Sequence, residues 1–304
     1  MARDAPGRLR PSWQADGAID VTAPAARTAP TTGRLRTPFR ETSQAIILLQ
    51  LAVVAGVLGG WELGARVGLL DPAVISQPTA IVARLAEMVG GADIYDATLI
   101  EHVWATVQAL AIGYVLGGVL GLVGGLAFAR LRLVTRVLQP YVLAVYSIPK
   151  IALAPLFVLF FGIGVVSKIA VVALGVFFMF FFNTYAGLVN VDEEHRNIAR
   201  VMGASPRQLF WRIDLPSAMP AIMTGAKLGV PFAMIGAIVG EFIAATRGLG
   251  FLILRSTSLF DTAGLFATIL ILVAIVWVIG QLVSLLESRL LRWQPNRRQR
   301  AVAA

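Results

Sequence analysis

The feature that most constrains this chain is a series of long apolar runs without a polar face. Ile169–Phe182 is the plainest, since it contains no polar or charged side chain at all. A helix that is apolar all round is buried in protein or in lipid. A helix rises ~1.5 Å per residue, so about 20 apolar residues cross a hydrocarbon core ~30 Å thick. Ala45–Leu63 and several later runs are of that order. Composition agrees: the chain is 57% hydrophobic and 14% charged, whereas a soluble domain carries about 25% charged residues. The expected fold class is an all-α integral membrane protein.

Six spans are expected, at roughly 44–66, 103–129, 138–161, 167–190, 217–245 and 263–289. The third holds Pro140, Pro149 and Pro155 and should be kinked or broken. A membrane helix tolerates that only where neighbours or a cavity satisfy the freed backbone groups. Arginines beside the spans give an orientation. Arg27, Arg34, Arg36 and Arg40 precede span one. Arg130, Arg132 and Arg136 separate spans two and three, and Arg289, Arg292, Arg297, Arg298 and Arg300 end the chain. With six crossings all three groups share one side. The 67–102 segment on the other side has Arg84 against Asp71, Glu87, Asp93, Asp96 and Glu101. Both termini are therefore expected in the cytoplasm. Residues 1–40, rich in Arg, Pro, Ala and Thr, read as a disordered cytoplasmic tail, and 41–304 as the transmembrane domain. A short external helix opened by Pro78 should present Ile81, Leu85 and Met88 on one face.

Several function classes fall away. Net charge is +9, but the basic residues flank the spans rather than forming one stripe, so no nucleic acid is expected. With no cysteine, disulfides, thiolate metal sites and cysteine nucleophiles are excluded. The only histidines are His102 and His195, and neither a His-Glu-x-x-His nor a Gly-x-Ser-x-Gly motif occurs. No Gly-x-x-x-x-Gly-Lys-[Ser/Thr] loop is present, so any ATP must be hydrolysed by another chain.

The most informative stretch is the loop 191–216, between spans four and five. It reads as two short helices and a bend. Acids at its start, Asp192 to Glu194, suit a helix N-terminus. Gly203 can stop the first helix at positive φ. Ser205 can cap the second, with Pro206 at its first position, and Pro216 then opens span five. The loop resembles the coupling motif of binding-protein-dependent ABC importer permeases: Glu-Ala-Ala, three residues, Gly, nine residues, Ile-x-Leu-Pro. Ala199, Gly203, Ile213, Leu215 and Pro216 match, while Asn197 and Ile198 stand in place of the first two residues. Charged contacts ascribed to the missing Glu then fall to Glu194 or Arg200. Further stretches, Ser147–Leu156, Phe161–Gly164, Ser167-Lys168, Gly240–Phe242 and Gly248–Gly250, are similar to the subgroup that imports nitrate, sulfonates, taurine and pyrimidine precursors.

The resemblance implies a type I importer permease fold in the bacterial cytoplasmic (inner) membrane. It implies a second permease subunit, two ATPase subunits holding ATP and Mg, and an extracytoplasmic binding protein. The chain itself would bind no cofactor and catalyse nothing. ATPase coupling would fall to Glu194, Arg196, Ala199, Arg200, Gly203, Ser205, Pro206, Ile213, Leu215 and Pro216. A small anionic solute is the expected cargo; pyrimidine or thiamine precursors, riboflavin-like and aromatic compounds are the alternative. An ATP-independent secondary transporter or channel is the rival of a different class.

Within the spans, Pro149 and Lys150 are candidates for the substrate pathway, because a lysine at mid-span costs about 2.5–3.5 kcal/mol and needs a cavity or partner. Asn183 could touch substrate or bond between helices. Glu241 could line an outer gate or pair with Arg247 or Arg255. Lys227 is expected to snorkel. Gly113, Gly117, Gly121 and Gly125 form a ridge in span two that suits close helix approach, either inside the subunit or between subunits.

Overall fold

A computed structural model describes residues 43–293. The tail 1–40 and the last arginines lie outside that range. The first helix, α1 (Ser43–Arg66), straddles a division of the chain into two units, Met1–Ala52 and Val53–Ala304. The helical bundle lies within the second unit.

Among the described residues all regular structure is helical. The order after α1 is α2 (Pro72–Ile75), α3 (Pro78–Val89), α4 (Leu99–Arg130), α5 (Arg132–Ser147), a 3-10 turn (Lys150–Leu153), α6 (Ala154–Phe161) and α7 (Val165–Val189). It continues with α8 (Glu193–Val201), α9 (Pro206–Leu209), a π-turn (Phe210–Asp214), α10 (Leu215–Ala244), α11 (Leu249–Ser258) and α12 (Thr262–Leu290). Among the described residues five helical runs are long and apolar enough to cross a membrane, and a sixth crossing is available if the bent pair 133–147 and 150–161 counts as one span. That pair turns by 85° at its break, which is the interruption its prolines call for. The helix α11 is not among the elements expected from the sequence.

The core is built from α4, α7 and α10. Val172, Val176, Ala233, Ala237, Leu249 and Leu252 are buried in one cluster. The glycine ridge of α4 faces α7 inside the subunit. A Cβ on Gly117 would lie 2.3 Å from the Ala173 carbonyl oxygen, and one on Gly121 would lie 2.3 Å from that of Phe177. Small residues let the two backbones touch, which substitutes for the hydrophobic drive that lipid does not supply. On the other flank of α7, Gly225 and Gly236 of α10 make room for Asn183 and Val172.

The ends of the bundle are tied by polar caps. Glu101 accepts from the Thr98 amide at 2.9 Å, closing the N-terminus of α4, and Asp261 accepts from Gly264 N at 2.8 Å to cap α12. The expected face of α3 is the packed one: Ile81 and Met88 are buried, and Leu85 lies against the same cluster. Arg66 and Glu62 pair at 2.7 Å, one turn apart as expected. Lys227 does not snorkel alone; it forms an ion pair with Glu287 of α12, a partner that local periodicity could not reveal.

Candidate functional site: a helix-break pocket and an exposed bend

The bend between α7 and α10 forms as its residues require. Asp192 caps α8 through the Glu194 amide at 2.9 Å. Gly203 sits at φ +82°, and the amides of Gly203 and Ala204 close the helix on Arg200 and Ala199. Ser205 and Gln208 then exchange bonds, Gln208 N to Ser205 Oγ at 3.3 Å and Ser205 N to Gln208 Oε1 at 2.9 Å, with Pro206 in the first turn of α9. This is a reciprocal capping box. The second short helix is not separate, however. It passes through the π-turn directly into α10, so Pro216 lies inside a helical run extending from Pro206 to Ala244.

The bend has an outer and an inner side. Ile198, Val201, Met202 and Trp211 expose large apolar surface, with Val201 90% and Met202 81% accessible. Glu194, Arg200, Gly203, Ser205 and Pro206 are exposed beside them. Arg200 binds Asn197 Oδ1 at 2.7 Å, within its own helix. Ala199, Ile213, Leu215 and Pro216 are partly buried, and Leu215 packs against Leu188, Ala218 and Ile222. Arg196 also points inward. Its Nε donates to Asp214 Oδ1 at 2.7 Å, Nη1 to Glu193 Oε1 at 3.0 Å and Nη2 to the Leu188 carbonyl at 3.0 Å. Burial works against its charge, but the bonds to Asp214 and Glu193 outweigh that and raise its pKa. The guanidinium of Arg130, at the end of α4, sits 3.7 Å from the centre of the Phe210 ring.

The second feature is a cavity of about 400 Å³ at the α5–α6 break. Its floor is the 146–151 segment, including Pro149 and Lys150. Its walls are Val171 and Gly175 of α7 and Phe232, Ile235, Gly236 and Val239 of α10. Lys150 Nζ donates to the Tyr146 carbonyl at 2.9 Å and lies 4.2 Å and 5.1 Å from the Tyr146 and Phe178 ring centres. Among the described residues no carboxylate comes within ion-pair distance of Lys150. The other two span lysines are paired, Lys168 with Glu241 and Lys227 with Glu287.

The remaining pathway candidates are not in this cavity. Asn183 donates to the Met179 carbonyl at 2.8 Å, within α7, and packs against Gly225. Its bond is therefore intrahelical, not the interhelical one expected. Glu241 is 1% exposed. It accepts from Thr106 Oγ1 at 2.9 Å and from Gly250 N at 2.7 Å, with Lys168 Nζ at 3.7 Å. The anticipated partners are engaged elsewhere: Arg247 with Glu101 at 3.2 Å, and Arg255 over the Tyr95 ring. Sequence reasoning missed Lys168 as the partner; a lone cation beside Ile169 in one apolar run and a lone anion in another was the available signal. His102 completes this node. Its Nδ1 accepts from Gly248 N at 3.1 Å, so Nε2 carries the proton donated to the Ile94 carbonyl at 3.0 Å. Among the described residues no group of three His, Cys, Asp or Glu side chains could hold a metal.

Known proteins supply the remaining context. The family described as "binding-protein-dependent transport system inner membrane component" matches residues 113–292. The formylaminopyrimidine transport permease ThiX of Halalkalibacterium halodurans is 35% identical, over 86% of this chain and 99% of that one. The putative aliphatic sulfonates transport permease SsuC of Bacillus subtilis is 30% identical over 80% of this chain and 87% of its own length. The taurine transport system permease TauC of Escherichia coli is 29% identical over 81% and 90% respectively. A structure of the inward-facing MetNI methionine ABC transporter shares the fold, with a TM-score of 0.56 at 21% identity, covering 63% of this chain and 95% of that one. The chain belongs to the family of binding-protein-dependent transport system inner membrane components, the multi-pass permease subunits of ABC importers.

Proposed function

We propose that this permease imports a small organic anion, and that the solute passes the cavity at the α5–α6 break. The observation that carries this is Lys150, a span cation facing an apolar cavity without a carboxylate partner. A cation in a low-dielectric wall gains most from an anion that passes it. The sulfonate and taurine permeases among the relatives fit that cargo. The Tyr146 and Phe232 rings that line the cavity favour a second reading, a planar pyrimidine precursor of the kind named for ThiX. Taurine and a formylaminopyrimidine, each supplied with its binding protein to vesicles holding the complete importer, separate the two. Lys150→Met should lower taurine uptake by about 10–100-fold, the worth of one charge-assisted contact. Unchanged uptake of taurine that the wild type does transport would sink the anion reading.

The bend 191–216 is the proposed docking element for the ATPase subunits, through the exposed apolar tip formed by Ile198, Val201 and Met202. Exposed apolar clusters of this kind mark interaction surfaces. The working unit is two copies of this chain, two ATPases and an external binding protein. With six crossings a cytoplasmic bend also puts both termini in the cytoplasm, the orientation that the arginine distribution supports. Met202→Glu should abolish co-purification of the ATPase while the permease pair survives. Native mass spectrometry reads both outcomes; an ATPase still bound to the variant would remove the docking role from the bend.

A further inference from the structure

We infer that Arg196 is a positioning residue for coupling, the strut that makes the bend and the spans on either side move as one body. The inference rests on the docking role proposed above for 191–216. The difficulty that Arg196 resolves is mechanical. The apolar tip lies on α8 and its C-cap residue Met202; α8 is short and its own residues are all exposed or only partly buried. Force applied at Val201 and Met202 would simply swing α8 on its two connections, Val189–Asp192 and Gly203. The second connection is the weak one, because Gly203 sits at φ +82° with nothing within 4 Å of where a Cβ would stand.

Arg196 removes that freedom. From α8 its planar fork reaches two other pieces at once, the Leu188 carbonyl in the last turn of α7 and Asp214 at the junction of the π-turn with α10, while Glu193 on its own helix takes the third donor. The side chains of Arg196 and Asp214 are 17% and 14% exposed, so the pair is shielded from salt and water far better than a surface pair. A guanidinium suits this task because its donors are fixed in one plane, whereas a lysine ammonium could satisfy one or two of the three acceptors at a time. The Leu188 carbonyl is one of the last four of its helix, which have no intrahelical donor. Arg196 therefore fills a vacancy that α7 necessarily leaves. Arg130 stacked on Phe210 ties the start of the π-turn to the end of α4, so α4, α7 and α10, the helices of the core, all meet the bend at arginine contacts. Of these only Arg196 spans the bend itself.

The test compares ATP hydrolysis by the complete importer in vesicles with and without its binding protein, purified with its own bound ligand. Loss of a merely stabilising contact lowers the number of assembled complexes, so basal and stimulated rates fall together and their ratio stays at the wild-type value. Loss of a strut lets the ATPase cycle without the spans following, so the ratio of stimulated to basal rate falls toward unity. Arg196→Ala should show that fall, and Arg196→Lys should restore it only in part. Should Arg196→Ala not assemble, Asp214→Asn keeps an acceptor of the same shape while removing the charge, and should give an intermediate ratio. A wild-type ratio in assembled Arg196→Ala, or in Asp214→Asn where the alanine variant does not assemble, overturns the inference. Failure of the docking reading is separate: it shows as ATPase retained by Met202→Glu, whatever Arg196 does.

Discussion

Gly121→Val should leave the protein unable to accumulate as a folded species in the membrane. A Cβ at this position would stand 2.3 Å from the Phe177 carbonyl oxygen and 2.8 Å from the Phe180 Cβ. The first obstacle is backbone, which cannot swing aside as a flexible side chain can. Relief requires parting α4 from α7, and these helices form the bundle core through Val172 and Val176. Overpacking in ordinary cores costs about 1–3 kcal/mol. Here the first contact is a backbone carbonyl and the helices also touch one turn away at Gly117 and Ala173, so they cannot part locally and the cost should exceed ~3 kcal/mol. Gly59→Ala is the control, because nothing lies within 4 Å of a Cβ there. Fluorescence-detected size exclusion of detergent extracts should show the monodisperse peak lost for Gly121→Val and kept for Gly59→Ala.

Glu241→Ala should be the most damaging change of a charged residue in the spans. Lys168 is 5% exposed, with Glu241 as the carboxylate in ion-pair range, and Gly250 N loses its acceptor as well. Breaking a buried pair from one side costs about 3–5 kcal/mol, because the survivor stays charged in a low dielectric. Removing both charges should be milder. Lys168→Met with Glu241→Gln keeps an acceptor for Gly250 N and leaves no orphan charge. Thermal unfolding in detergent of the wild type, Lys168→Met, Glu241→Gln and the double variant closes the cycle and gives the coupling directly. The expected pattern is a double variant more stable than Glu241→Ala. A double variant less stable than both singles would mean that the pair does not act as a unit.

The parts of this structure that follow local periodicity were legible in the sequence. The spans came from apolar runs, and the bend came from Asp192, Gly203, Ser205 and Pro206, whose roles depend on neighbours a few positions away. The break at Pro149 was legible for the same reason. What escaped depends on which faces meet. The glycine ridge showed that α4 approaches another backbone closely, but not that the backbone is α7. Glu241 was seen as a costly charge needing a partner, yet Lys168 is distant in sequence and only the packing of α7 on α10 joins them. Lys227 and Glu287 are a second instance. Of the pathway candidates, Pro149 and Lys150 line the cavity because they form the break. Asn183 and Glu241 sit on faces whose direction no single-helix argument could give.

The π-turn at Phe210–Asp214 has a consequence for chain length. Such a turn holds one more residue than an α-turn, and successive α-helical residues are offset by about 100° about the axis. Deleting one residue between Phe210 and Asp214 would let Pro206–Ala244 run as regular α-helix, with every contact of α10 inside the bundle kept. It would also turn the apolar tip about 100° around that axis, away from wherever it now points. The extra residue thus sets the phase of the bend relative to α10. An insertion or deletion here changes the azimuth of the apolar tip about the axis of α10.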